Sequence, residues 1–335
     1  MKFEKLVERC LHLIPVLLGV SVIVFVMMST TPGDPVKIML GDQNASPAQE
    51  AALRHDMGLD LPPLERFGHF LLNSARGDFG LSYFHRRPVI DVITERLPAT
   101  IELTLAALLI ALAVAIPLGV LAAVKRNSLL DKAATVASLL GVSLPGFWFG
   151  ILLLIVFAVR LHVLPISGRI GFDVSVPPVT RFLLIDSLLA GNLPAFWNAL
   201  RHLLLPALTL GLPMAAILMR VTRTAMLDVM RQDYITFAEI KGLSRRRILF
   251  RHALKNALIP TLTVAAMETG SLLGGNMIVE TVFGWPGLGR LVVESIYVRD
   301  YPVVQTAVLL YALIYVLLNF IADLLYTIVN PKVQL

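Results

Sequence analysis

The sequence predicts an all-α polytopic membrane protein. Three observations carry that reading. Apolar residues make up 56% of the 335 and charged residues only 16%, whereas soluble chains run near 45–50% and 25%. The mean hydropathy is +0.76. Finally, the apolar residues gather into six stretches of about the 20 residues that one helix needs to cross the hydrocarbon core. They run over residues 10–28, 100–124, 133–159, 202–219, 257–279 and 303–329. A shorter apolar piece, 182–193, carries Asp186 and reads as external or re-entrant.

Taken in order, the first stretch follows Lys2, Lys5 and Arg9, as a signal peptide would. It is too long for one, and no small-residue cleavage site follows before Pro32-Gly33-Asp34-Pro35, so it is expected to stay as helix one. Residues 1–30 are thus a cytoplasmic N-terminus and first span. Residues 31–99 form a loop long enough to fold. In it, Ser46-Pro47-Ala48-Gln49 is a helix start, Leu61-Pro62-Pro63 a break, residues 64–72 a second short helix and Gly77-Asp78-Phe79-Gly80-Leu81-Ser82 a turn. This loop is expected to be a small helical cap with a docking or gating role. Residues 100–335 hold the other five spans and a cytoplasmic segment, 220–256. Pro145-Gly146 predicts a kink in the third span.

Basic residues set the orientation. With the N-terminus inside, segments 1–9, 125–132, 220–256 and 330–335 hold 16 of the 29 Lys and Arg against six acids. The outside segments hold 13 basic and 14 acidic residues. Both termini are therefore predicted in the cytoplasm. The net charge of +6 reflects topology and not a nucleic-acid surface.

The segment 220–256 holds nine of those basic residues. Tyr234, Phe237 and Ala238 recur at helical spacing, Gly242 is placed to end that helix, and Ser244 to cap the next. A basic loop that only sets topology needs no apolar stripe; a helix that docks into a groove does.

No phosphate-binding G-x-x-x-x-G-K-[ST], nucleophile elbow or H-E-x-x-H occurs, and no two of the seven histidines are four apart. The single cysteine, Cys10, excludes a disulfide framework. The chain is expected to be no enzyme and to hold no metal or cofactor. Charged groups inside spans are costly and call for a reason. Glu268 divides between lining a translocation path and pairing with another helix. Glu102, near a span end, and Asp323 read as structural. Asn276 and Gln305 are path candidates whose simpler role is bonding between helices.

Asp233-Tyr234-Ile235-Thr236-Phe237-Ala238-Glu239-Ile240-Lys241-Gly242-Leu243-Ser244, with Ile259-Pro260 downstream, resembles the cytoplasmic EAA loop of ABC importer permeases of the peptide and nickel branch. Pro32-Gly33-Asp34-Pro35, Gly77 to Ser82, Glu280 to Gly289, Arg299-Asp300-Tyr301-Pro302 and Asn330-Pro331 are similar to further blocks of that family. Three positions depart: Thr236 stands at the acidic place of the general pattern, and Glu239-Ile240 where the peptide branch more often has Arg-Ala. The resemblance implies the type I permease fold with six helices and the first of two permease subunits for dipeptides or oligopeptides in a bacterial inner membrane. The implied partners are a second homologous permease, two ATP-binding subunits that hold ATP and Mg, a periplasmic substrate-binding protein and the lipid bilayer, with no nucleic acid. It also implies an ATPase-coupling role for Tyr234, Phe237, Ala238, Glu239, Lys241, Gly242, Leu243 and Ser244. Nickel chelates or glutathione as cargo are the alternative. An ion-coupled transporter is a more remote one, which paired broken helices or inverted repeats would favour.

Overall fold

The computed structural model describes residues 3–40 and 46–329. The predicted termini and Asn330-Pro331 lie outside the described residues, as does the side chain of Asp323. The described residues are mostly helical and form two compact units, Met1–Thr100 with Pro286–Val316, and Ile101–Trp285 with Leu317–Leu335.

In the first unit, α1 (Phe3–Thr30) leads through Pro32-Gly33 to the short α2 (Pro35–Leu40). The Asp34 carboxylate caps α2 by accepting the Val36 N–H at 3.0 Å, and it pairs with Arg54 of α3 (Pro47–Asp56). The cap helices begin where the residues direct. Ser46 and Gln49 form a reciprocal capping box, with the Ser46 N–H on Gln49 Oε1 at 2.9 Å and the Gln49 N–H on Ser46 Oγ at 3.3 Å. Pro63 opens α4 (Pro63–Ala75), whose Phe67 ring lies 5.1 Å from that of Phe25 on α1.

The Gly77 to Ser82 turn has an anchor that its own residues do not reveal. Asp300, fully buried, accepts the Ser82 hydroxyl at 2.5 Å and the N–H groups of Tyr83 and Phe84 at 3.1 and 3.2 Å. Tyr83 is itself buried, which pushes its phenol up to about 12, and it donates to the Met57 carbonyl at 3.2 Å. Arg299 donates to the Pro32 carbonyl, and a Cβ on Gly33 would stand 2.9 Å from Arg299 Nε. Gly33 has φ +128°, a conformation that side-chain-bearing residues rarely adopt, and this backbone is what requires the glycine. The blocks around residues 33, 80 and 300, scattered along the chain, thus form one knot of hydrogen bonds. α14 (Leu288–Tyr297) completes the unit with the first part of α15 (Tyr301–Val329).

The second unit is built around α9 (Leu193–Val229), packed by α6 (Leu129–Ser143), α7 (Gly146–Leu153), α8 (Leu183–Leu189) and α12 (Leu254–Gly275). Its contact with α5 (Val89–Val124) uses small residues. A Cβ on Gly119 would lie 2.7 Å from Thr222 Cβ, and one on Gly211 2.7 Å from the Ala107 carbonyl oxygen. In lipid, where apolar side chains gain little by leaving the solvent, such close approach is what holds helices together. Thr222 and Thr261 add a hydroxyl contact of 3.0 Å between α9 and α12.

Two expectations are corrected. The fourth helix is 37 residues, not residues 202–219: Asn192 caps it by accepting the Ala195 N–H at 3.0 Å, and Pro206 and Pro213 are absorbed within it. The third predicted span is not kinked but broken. α6 and the helix Gly146–Arg160, which ends in π-type turns, diverge by 106°. Proline has no N–H to donate and forces the residue before it into extended backbone, here Leu144 with ψ 133°.

Among the described residues three helices are long and apolar enough to cross a bilayer, Val89–Val124, Leu193–Val229 and Tyr301–Phe320, with the bent pair as a fourth. The remaining two predicted stretches are helical as well. α1 is apolar over Ile14–Thr30, and α12 is diluted by Lys255, Asn256 and Glu268.

Buried charges in this unit are satisfied. Glu102 accepts Arg169 Nη2 at 2.7 Å, Nε at 3.2 Å and the Leu184 N–H at 2.9 Å. Its geometry is structural: it fastens the loop before α8. Asp186 is buried, which alone would raise its carboxyl, but the Thr180 hydroxyl and the N–H groups of Thr180, Val179 and Arg181 hold it below the usual range. Asp131 takes both Arg223 Nε at 2.5 Å and Nη2 at 2.9 Å, joining α6 to α9. The guanidinium, with help from the Asn127 N–H, lowers its carboxyl to about 2. Since the folded pKa lies below the ordinary 3.8, this pair stabilises the fold fully above that value and loses its contribution as pH falls toward 2. Asp131→Arg is expected to lower the yield of assembled protein severalfold, and Arg223→Asp on the same chain to restore much of it. Solubilised yield by size-exclusion chromatography checks this; equal yields from single and double variants would contradict it.

Candidate functional site

The segment 220–256 is ordered by local hydrogen bonds. α10 (Asp233–Ile240) ends at Gly242, which takes φ +74°. The Gly242 N–H bonds to the Glu239 carbonyl at 2.9 Å and the Leu243 N–H to that of Ala238 at 3.2 Å, the left-handed turn that closes a helix C-terminus. Ser244, in extended backbone, precedes α11 (Arg245–Arg247), which runs through π-type turns over Ile248–Ala253 into α12. The expected helix, glycine turn and helix are present, and the second helix is continuous with the fifth apolar stretch.

The apolar face divides differently from its sequence spacing. Ala238 joins Ile235, Ile248, Ala253 and Met226 in the unit's own core. Tyr234, Phe237 and Ile240 stay outside, with Phe237 59% and Ile240 78% exposed. The outward stripe is therefore Tyr234, Phe237 and Ile240, not Tyr234, Phe237 and Ala238. Two contacts stiffen it. Asn256 Nδ2 donates to the Tyr234 hydroxyl at 2.7 Å, and Lys241 Nζ sits 4.7 Å from the Phe237 ring centre. Glu239 and Leu243 flank the turn, Glu239 exposed and Leu243 packed against the core. An exposed aromatic and aliphatic stripe on a rigid helix is a surface built to be covered. Among the described residues no group of three or more His, Cys, Asp or Glu is placed to hold a metal ion.

Glu268 and Asn276 lie eight residues apart on and at the end of α12, about 12 Å along a helix axis. Glu268 is half-buried and forms no hydrogen bond or ion pair with another described residue. Asn276 donates to the Leu272 carbonyl at 2.7 Å and marks the break before α13 (Met277–Val282). Gln305 belongs to the first unit, where it is buried.

Sequence comparison decides what kind of protein presents this loop. Residues 115–335 match the model of the binding-protein-dependent transport system inner membrane component family. The chain belongs to that family. Residues 1–104 match its N-terminal component. The permease is 43% identical over 322 residues, 96% of each chain, to the di/tripeptide transport system permease protein of Pseudomonas aeruginosa. It is 42% identical over 324 residues, again 96% of each, to the dipeptide transport system permease protein of Escherichia coli K12. A glutathione transport system permease protein of Escherichia coli O1:K1 is 39% identical over 98% of both chains. The permease is thus a membrane component of a bacterial inner-membrane transport system and not an enzyme.

Sequence reasoning passed over three groups. Asp300 was visible only as part of a block, and Arg223 as one of nine loop charges. Ser128-x-x-Asp131 is a helix-start signal, but nothing in the sequence pairs Asp131 with a residue 92 positions away.

Proposed function

We propose that this chain is the first of two permease subunits of an ATP-driven importer for dipeptides and short oligopeptides. Near-full-length identity of 42–43% to di- and tripeptide permeases carries the reading. The Tyr234, Phe237 and Ile240 stripe, held beside the Gly242 turn, supports its mechanical half: it seats in a cleft of an ATP-binding subunit. Glu239, Lys241, Leu243 and Ser244 frame that contact, and Ala238 braces it from the core side. Six spans, with both termini in the cytoplasm, put this loop inside and the 31–99 cap outside. A second permease completes the pore, two ATP-binding subunits supply ATP and Mg, and a periplasmic binding protein delivers cargo. Movement of the ATP-binding subunits reaches α12 directly, because the helix that starts after the turn, at Arg245, runs without a break into α12.

Uptake of a labelled dipeptide into proteoliposomes holding the purified complex, with ATP inside and the binding protein outside, tests the proposal. ATP-dependent uptake competed by other peptides is the expected result. An ATPase stimulated by the binding protein without peptide uptake would remove the peptide and leave glutathione, which the relative at 39% identity favours, as the next cargo to try.

Glu268 is proposed to face the path or the second permease, since it has no partner within the described chain. Glu268→Gln is expected to change uptake by about threefold to tenfold with near-normal assembly, the scale of the net contribution of one hydrogen bond. Loss of the assembled complex would instead assign Glu268 to a pair across the subunit interface.

A further inference from the structure

The first unit holds a half-open cavity of about 630 Å³, within the size range of sites for small molecules. Aromatic rings form part of its wall, including Phe25, Phe70 and Tyr301. Arg66 is set among them, its guanidinium carbon 5.9 Å from the Phe25 ring centre and 6.0 Å from that of Tyr301. Among the described residues Arg66 forms no ion pair. The ring faces hold the cation in place without neutralising it, and its planar fork keeps donors free for a two-pronged bond to a carboxylate. The buried Gln305 also lines the cavity and has no hydrogen bond to a described residue. Asp56 and Asp78 line it too. Asp56 has no ion-pair partner among the described residues, and Asp78 accepts only the Gly80 N–H, at 2.9 Å. One cavity therefore offers an unpaired guanidinium, an unused amide, two carboxylates and aromatic surface. A zwitterion carrying small apolar side chains matches that set.

We infer that this cavity is a binding site for a short peptide with free termini, whose α-carboxylate is received by Arg66 and Gln305 and whose ammonium is received by Asp56 and Asp78. The inference rests on the peptide reading of the cargo and extends it: the permease itself, and not only a binding protein, reads peptide termini. It also gives Gln305 a role in this cavity.

Equilibrium dialysis of tritiated Ala-Ala against the purified complex, without binding protein, tests it. Saturable binding of one dipeptide per complex is expected. Arg66→Ala is expected to weaken it about tenfold, the effect of one lost charge-assisted pair, and Arg66→Lys to weaken it less. Amidating the peptide's C-terminus is expected to weaken binding to the unmodified complex by a similar factor and to have little further effect in Arg66→Ala, because both changes remove the same contact. No binding to the unmodified complex, unchanged affinity in Arg66→Ala, or a full amidation penalty persisting in that variant would overturn the site. So would a copurifying lipid that fills the cavity and excludes the peptide. If Arg66→Ala does not assemble, Gln305→Glu, which sets a carboxylate against the peptide's own, is read in the same way. Failure of the peptide reading is seen separately, as proteoliposomes whose binding-protein-stimulated ATPase runs without any peptide uptake.

Discussion

Gly242→Val is expected to leave the protein inserted and assembled but to cut binding-protein-stimulated ATPase activity and uptake more than tenfold. The cause is the backbone. At φ +74° a valine is a steric outlier, and holding a side chain in such a conformation costs about 1–3 kcal/mol. No atom lies within 4 Å of where its Cβ would stand, so no clash in the fold adds to this. The chain relieves the strain by opening the turn, which releases the bonds from Gly242 and Leu243 to the end of α10 and swings Tyr234, Phe237 and Ile240 away from their setting relative to α12. Gly242→Asn separates this from any general intolerance, because asparagine tolerates the left-handed region; it is expected to retain most of the coupling. ATPase stimulation in proteoliposomes checks both variants. Normal stimulation in Gly242→Val would take the turn out of the coupling mechanism.

Asp300→Ala is expected to be the most destabilising single change outside the apolar stretches. It strips the acceptor from the Ser82 hydroxyl and from the Tyr83 and Phe84 N–H groups. Each buried donor left unsatisfied costs about 1–3 kcal/mol, so a loss of about 3 kcal/mol or more is expected. With the 31–99 loop outside, as proposed, that loop should then become sensitive to protease in spheroplasts, and the melting temperature of the purified complex should fall by several degrees. Ser82→Ala removes one of the three donors and is expected to have a smaller effect, as is Asp300→Asn, which keeps one acceptor oxygen. An unchanged melting temperature for Asp300→Ala would show that the knot does not hold the cap.

Both positions show how far residue order alone reaches. The Gly242 turn was legible because its determinants are local: an apolar helical stripe and a glycine within nine positions; Ser244 stands in the extended backbone expected of a cap, but its side chain forms no capping hydrogen bond. The same locality made the Ser46 capping box and the Pro63 helix start readable. Asp300 belongs with Ser82, 218 positions earlier, and no local pattern reports such a partner. The break at Leu144-Pro145 lies between these cases. Proline signals an interruption in sequence, but the size of the bend depends on what the two halves pack against.

The sequence by itself determined the all-helical membrane class, the asymmetry of positive charge and the loop that ends in Gly242, since hydropathy, charge and capping act over a turn or two of helix or are properties of the whole composition. Only the tertiary structure decided that Ala238 faces inward while Ile240 faces outward, that Glu102 and Asp131 are paired while Glu268 is not, and that Arg66 stands uncompensated in an aromatic cavity. Those outcomes depend on which side chains from distant segments arrive to bury an apolar face or to neutralise a charge, and that is set by packing.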